Sequence, residues 1–106
     1  MRSFFPHESL RAYALLRDTA RWIAKTPFPR GQARLKQQAL DAAQSAVLNT
    51  AEGRGRQGQA RRNHYEIAYA SAAETCAALD LVEIPGVRQQ QDNLRAAGSM
   101  LNGLMP

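Results

Sequence analysis

The chain has 106 residues, 44% of them hydrophobic, and fourteen basic against nine acidic side chains give it a net charge of +5. That length holds one domain, residues 1–106, too small for a deep core, since a chain of this size buries only about two-thirds of its unfolded surface. Alanine is abundant, valine and isoleucine are scarce, and twelve of the fourteen cations are arginine, which points to closely packed helices with a surface suited to polyanions rather than to a sheet protein.

Two further classes drop out early. Cys76 is the single cysteine, so no internal disulfide forms, and its expected role is that of a small buried thiol on a helix face. No apolar run approaches the roughly 20 residues needed to cross a bilayer. The start, Met1-Arg2-Ser3-Phe4-Phe5-Pro6, has no signal-peptide core. A cytoplasmic protein without a membrane partner is expected.

In chain order, Leu10, Tyr13, Leu16, Ala20 and Ile23 recur at three- and four-residue intervals and predict a first helix over residues 7–25. Pro6 precedes it, and Thr26-Pro27-Phe28-Pro29 closes it. Its outer face carries Arg11, Arg17, Arg21 and Lys25, and residues 1–40 hold eight basic side chains against two acidic ones. The first third therefore supplies the positive field. Trp22 in this segment reads as a packing or subunit-contact residue, with membrane-surface binding as the weaker reading.

A second helix is expected over residues 32–52, with Leu35, Ala39, Ala42, Ala46 and Val47 inward. Ser45, Asn49 and Glu52 follow one another at i, i+4 and i+7, which lays a polar stripe along one helix face. Gly53 is expected to end the helix in a left-handed cap. The turn Gly53-Arg54-Gly55-Arg56-Gln57-Gly58 reads as a solvated interhelical loop whose amides could alternatively cradle a phosphate. It has no preceding strand and no Gly-Lys-Ser/Thr, so it is not a nucleotide-binding loop.

The third helix is expected over residues 59–82, packed through Tyr65, Ala68, Tyr69, Ala72, Cys76 and Leu79. Arg61 and Arg62 stand in its first turn, where cations oppose the helix dipole by a few tenths of a kcal/mol. An internal carboxylate, Glu66 or Glu74, or an acidic partner would relieve that conflict. Ser71 and Glu74 form a second polar pair at i, i+3. After Glu83-Ile84-Pro85-Gly86, a fourth helix presents Val87, Leu94, Ala97, Leu101 and Leu104, with Gln89, Gln90, Gln91 and Asp92 on its polar side. The expected fold is all-α, an antiparallel up-and-down four-helix bundle.

Chemistry finds little footing in these residues. Glu52 and Glu74 could converge from adjacent helices on a metal, but neither is followed by the histidine of a Glu-x-x-His motif, and His7 and His64 have no partner at ligand spacing. Ser45, Ser71 and Cys76 sit in no glycine-framed elbow or activated-thiol context. No catalytic residue, metal or cofactor is assigned.

The order Ser45, Asn49, Ala51-Glu52-Gly53, Arg56, then Ile67-Ala68, Ser71 and Glu74, resembles the bacterial four-helix bundle family found in intervening sequences of 23S ribosomal RNA genes, whose pattern reads S-x-x-x-N-x-A-E-G, an arginine-containing turn, then I-A-x-x-S-x-x-E. Leu10-Arg11-Ala12-Tyr13 stands in the place of that family's L-x-x-W, and Phe28-Pro29 in that of its Phe-Pro, so the likeness spans about residues 4–104. Departures are Tyr13 for tryptophan, Thr50 for isoleucine and Ala70 for glycine. The resemblance implies a cytosolic bundle that assembles as a ring-like homopentamer. A relative, the accessory variability determinant of diversity-generating retroelements, binds nucleic acid and partners a reverse transcriptase.

The expectation is therefore a non-enzymatic oligomer that binds RNA or DNA without strong sequence specificity through Arg11, Arg17, Arg21, Arg54, Arg56, Arg61 and Arg62. Ser45, Asn49, Glu52, Ser71 and Glu74 are expected to form a structural polar network. The alternative is a scaffold whose basic face docks an acidic protein such as a reverse transcriptase, and a weaker one is a metal-dependent enzyme.

Overall fold

A computed structural model describes residues 3–105 of the chain, so Arg2, counted above in the basic first third, lies outside the described residues. A short 3-10 helix, Pro6–Ser9, leads into α1 (Arg11–Lys25), followed by α2 (Ala33–Arg54), α3 (Gly58–Leu79) and α4 (Val87–Gly103). Among the described residues there is no strand. Each helix packs on its two neighbours around a ring, α1 on α2 and α4, and α3 on α2 and α4, which is the four-helix bundle expected from the periodicity.

The first helix differs from expectation at its start. Leu10 adopts an extended backbone, φ −83° and ψ 119°, so one continuous helix becomes two segments set at an angle. At the other end the residue before Pro27 is pushed out of the helical region, and Thr26 turns extended while its hydroxyl donates back to the Trp22 carbonyl at 2.6 Å. Lys36 of α2 donates to the Thr26 carbonyl at 2.8 Å and ties the link to the bundle.

The core is built from small side chains. Ala39, Ala42, Ala43 and Ala46 of α2 are buried, as are Ala68, Ala72 and Ala78 of α3, and they let the longest two helices run close together. Leu16, Ile23, Leu79, Leu94 and Leu101 fill the remaining space. Thr50, where the resembling family has isoleucine, is fully buried and satisfies its hydroxyl on the Ala46 carbonyl at 2.7 Å; Thr75 does the same on Ser71.

Three packing expectations are corrected. Gln91, assigned to the polar side of α4, is fully buried: its amide donates to the Asp80 carboxylate at 2.9 Å and the Cys76 carbonyl at 3.2 Å, and its oxygen accepts from Arg88 at 2.9 Å. With its hydrogen bonds made, a glutamine can occupy a core position that composition alone reserves for an aliphatic. Tyr69, expected inside, is 45% exposed and lies over Gly98 of α4. Cys76 is only half-buried and, with Tyr69 and Gly98, lines a cleft of about 600 Å³ between α3 and α4.

Candidate nucleic-acid interface

Gly53 does not end α2. It is a buried helical residue inside Ala33–Arg54, and the positive-φ glycines of the chain are Gly31, Gly58 and Gly86. A methyl group on Gly53 would stand 2.8 Å from ring carbons of Tyr65 and 3.1 Å from Cβ of His64. Glycine is required there by the close approach of α3, not by backbone conformation. The helix runs on to Arg54, Gly55 closes it in a right-handed conformation, and Gly58, at φ +59°, opens α3.

Arg61 explains how cations are tolerated in the first turn of α3. Its guanidinium donates to the carbonyls of Arg56 at 2.8 Å, Arg54 at 3.1 Å and Gly53 at 3.2 Å, so the charge sits on the negative end of α2. Arg61 is thereby engaged as a cap. Arg62 pairs with Glu66 at 3.1 Å, one of the two carboxylates expected to relieve that turn. Arg56 pairs with Glu52 at 2.8 Å, and this hydrogen bond and charge, helped by His64, hold the Glu52 carboxyl below its ordinary value against a slight desolvation.

On α1, Arg17 pairs with Asp18 at 3.1 Å and lies 6.0 Å from the centre of the Tyr13 ring. Arg11 and Arg21 are exposed and Arg54 is half-exposed, and none of the three has a carboxylate within 4.0 Å among the described residues. Lys25, Arg30 and Arg34 share that condition. Lys36 near the start of α2 bonds Thr26 at the end of α1, and both α1 and the short helix before it pack on α2, so the two helices run antiparallel. The seven candidate arginines thus divide into three without an acidic partner, three paired with a neighbouring carboxylate and one capping a helix.

The polar stripe resolves into a cross-link between α2 and α3. Ser45 and Ser71 hydroxyls meet at 2.9 Å, and the Asn49 amide donates to the Ser45 carbonyl at 2.9 Å and contacts its hydroxyl at 3.3 Å. The Asn49 oxygen lies 2.9 Å from Nδ1 of His64. Since the amide nitrogen is committed to Ser45, that oxygen accepts, and His64 is the donor. Glu52 and Glu74 stand apart from this network: both are exposed, Glu52 on Arg56 and Glu74 beside Arg34 and Asp41. His64 was missed in the sequence because its helical position, seven residues before Ser71, gains meaning only once α2 is laid alongside.

Trp22 is half-buried and its indole packs across Gly86, whose φ of +89° excludes a side chain there. That is a helix-packing role. Among the described residues no helix is long and apolar enough to cross a membrane, and no three His, Cys, Asp or Glu side chains are grouped to hold a metal ion.

The serine, asparagine and glycine that join α2 to α3 are the residues that carried the family likeness. The model of the 23S rRNA-intervening sequence protein family matches residues 8–102. The chain belongs to that family. The matched span runs from the short helix before α1 to the last turn of α4, so the family likeness covers the whole bundle. No curated protein and no solved structure matches the chain. In this member of the family, Gly53 and the Ser45–Ser71 contact lie where α2 and α3 approach closely.

Proposed function

We propose that this family member is a non-enzymatic, cytoplasmic, oligomeric nucleic-acid-binding protein that grips phosphates through an arginine surface without strong sequence preference. The observation that carries this reading is the set Arg11, Arg21 and Arg54, which among the described residues keep their charge free of carboxylates in a chain of net +5. A guanidinium paired on the surface must exchange a partner before it can hold a phosphate, whereas an unpaired one gains the full contact. Arg17, Arg56 and Arg62 extend the surface and contribute less, and Arg61 shapes the turn. Phosphate contacts position a protein without reading sequence, and this helix arrangement offers no recognition helix for a groove.

Assembly strengthens the field. The resembling family's homopentamer would carry +25 from five copies of a +5 chain. Leu48 of α2, Ile67 of α3 and Leu81 in the link after α3 are 67%, 48% and 70% exposed, and large apolar side chains left open to solvent favour a subunit contact.

The test is a salt titration of binding to duplex DNA and to RNA. With about four phosphate contacts, log affinity falls against log salt with a slope near −3.6 on duplex DNA. Replacing Arg11, Arg21 and Arg54 together by glutamine reduces the slope by about 2.7. A flat response in the unaltered protein overturns the reading; loss of an acidic protein partner with nucleic-acid retention unchanged favours the scaffold, a reverse transcriptase being the partner to try.

A further inference from the structure

Phe4 and Phe5 are adjacent, 69% and 72% exposed, and unexplained by the bundle. Their strap is nevertheless held in place. The Phe5 amide donates to the Glu8 carboxylate at 2.6 Å, the Glu8 amide returns to the Phe5 carbonyl at 3.0 Å, and Pro6 stiffens the backbone between them. The Phe5 ring lies nearly parallel to that of His7, 12° apart with centres at 6.2 Å, and His7 meets the Tyr13 ring edge-on at 4.7 Å. Arg17 lies over the same tyrosine. Together with Arg21 these side chains line a groove of about 510 Å³, within the range of clefts that take small ligands.

Single exposed apolar residues are ordinary, but a fixed run of aromatic rings opening at one end to solvent and bordered by guanidinium groups has a specific complement. We propose that the strap before α1 and the first turns of α1 form a stacking site for unpaired bases of single-stranded nucleic acid, with Arg17 and Arg21 at the adjoining phosphates. This rests on the nucleic-acid reading above and adds to it a strand type and a place. A base laid on the open face of Phe5 continues the run of rings through His7 to Tyr13, and every base has a π face, so the site is tolerant of sequence. Duplex bases are already stacked on each other and gain nothing from these rings. Arg17 exchanges Asp18 for a phosphate, and Arg21 has no carboxylate partner to leave among the described residues. Glu8, the acid of this groove, has one carboxylate oxygen on the Phe5 amide.

The experiment compares a fluorescent single-stranded oligoribonucleotide, its DNA equivalent and a duplex of the same length, against the unaltered protein, Phe4→Ala/Phe5→Ala, Phe4→Leu/Phe5→Leu and Phe5→Trp. Both double variants weaken single-strand binding about tenfold or more and leave duplex binding unchanged, while Phe5→Trp retains single-strand affinity. Because both phenyl groups are exposed, helicity by circular dichroism stays as in the unaltered protein. Equal losses on single strand and duplex, no loss on either, or retention by the leucine variant overturns the stacking site. A fall in particle mass in the alanine variant overturns it in favour of a subunit contact. If the unaltered protein binds none of the three probes, the nucleic-acid reading fails and this inference with it; if it binds all three with a normal salt slope and the phenylalanine variants match it, the stacking site alone fails.

Discussion

Gly53 carries the sharpest consequence of a single residue. A glycine inside a helix ordinarily costs about 1 kcal/mol against alanine, so Gly53→Ala should stabilise the protein if propensity decided the matter. The added methyl would meet the buried Tyr65 ring at 2.8 Å, and overpacking of this kind costs about 1–3 kcal/mol. With the propensity gain subtracted, we expect a net loss of up to about 2 kcal/mol in urea unfolding. Gly55→Ala is the control: its methyl would come no nearer than 3.7 Å to another atom, at an ordinary φ of −84°, and the substitution is expected to be neutral or stabilising. Glu52 gives a pH signature of known sign. Its folded carboxyl titrates below its ordinary value of 4.5 because of Arg56, so its contribution is present above that value and is lost as pH falls through the lower folded one. Replacing it by glutamine should flatten that part of the acid-unfolding curve, and a curve that keeps its full acid limb would rule the pair out as a contributor. The carboxylate is exposed and its ion pair with Arg56 is screened by solvent, so the change is small.

At the scale of elements, the helix count was legible in the sequence and the junctions were not. Three- and four-residue spacing marks the buried stripe whatever the neighbours are, which is why Leu16, Ile23, Ala39, Ala46, Leu94 and Leu101 were all readable as core. Junctions depend on contacts between elements. The end of α2 is set by Arg61, a residue of the next helix, whose guanidinium collects the carbonyls of Arg54 and Arg56 and adds a second bond to that of Gly53, which already accepts from the Arg56 amide. Arg61→Ala should therefore cost about 1–2 kcal/mol and fray the last turn of α2, a loss read as faster amide exchange at Gly55 and Arg56. Arg95→Ala, which removes an exposed pair with Asp92, should cost less. If the two variants proved alike, the capping account of Arg61 would be wrong.

For the whole molecule, the question is what covers the outer side of α2 and α3. Ile67, Ala70, Glu74 and Ala77 are all exposed and lie at i, i+3, i+7 and i+10, so α3 shows solvent a stripe with one charge in four positions. Leu48 of α2 adds to it beside the Ser45 to Ser71 cross-link. Sedimentation equilibrium is expected to give a mass several times 11.7 kDa for the unaltered chain. Ile67→Glu, on the exposed stripe, is expected to return it to the monomer mass with helicity intact. A monomer mass for the unaltered chain at micromolar concentration would remove assembly from the functional reading and leave the single-copy charge of +5 to act alone.

The sequence by itself determined the helical class, the four segments, most of the alanine and leucine core, and the family, because these follow from local periodicity and from a motif contained within two adjacent helices. The tertiary structure decided which polar residues stay open to solvent and which are tied into the framework. Whether an arginine meets a phosphate, a carboxylate or a helix end depends on what another segment places within hydrogen-bond reach. The same reason separates Arg11 and Arg21 from Arg61, moves Gln91 from surface to core, brings His64 to Asn49, and leaves Phe4 and Phe5 open to solvent.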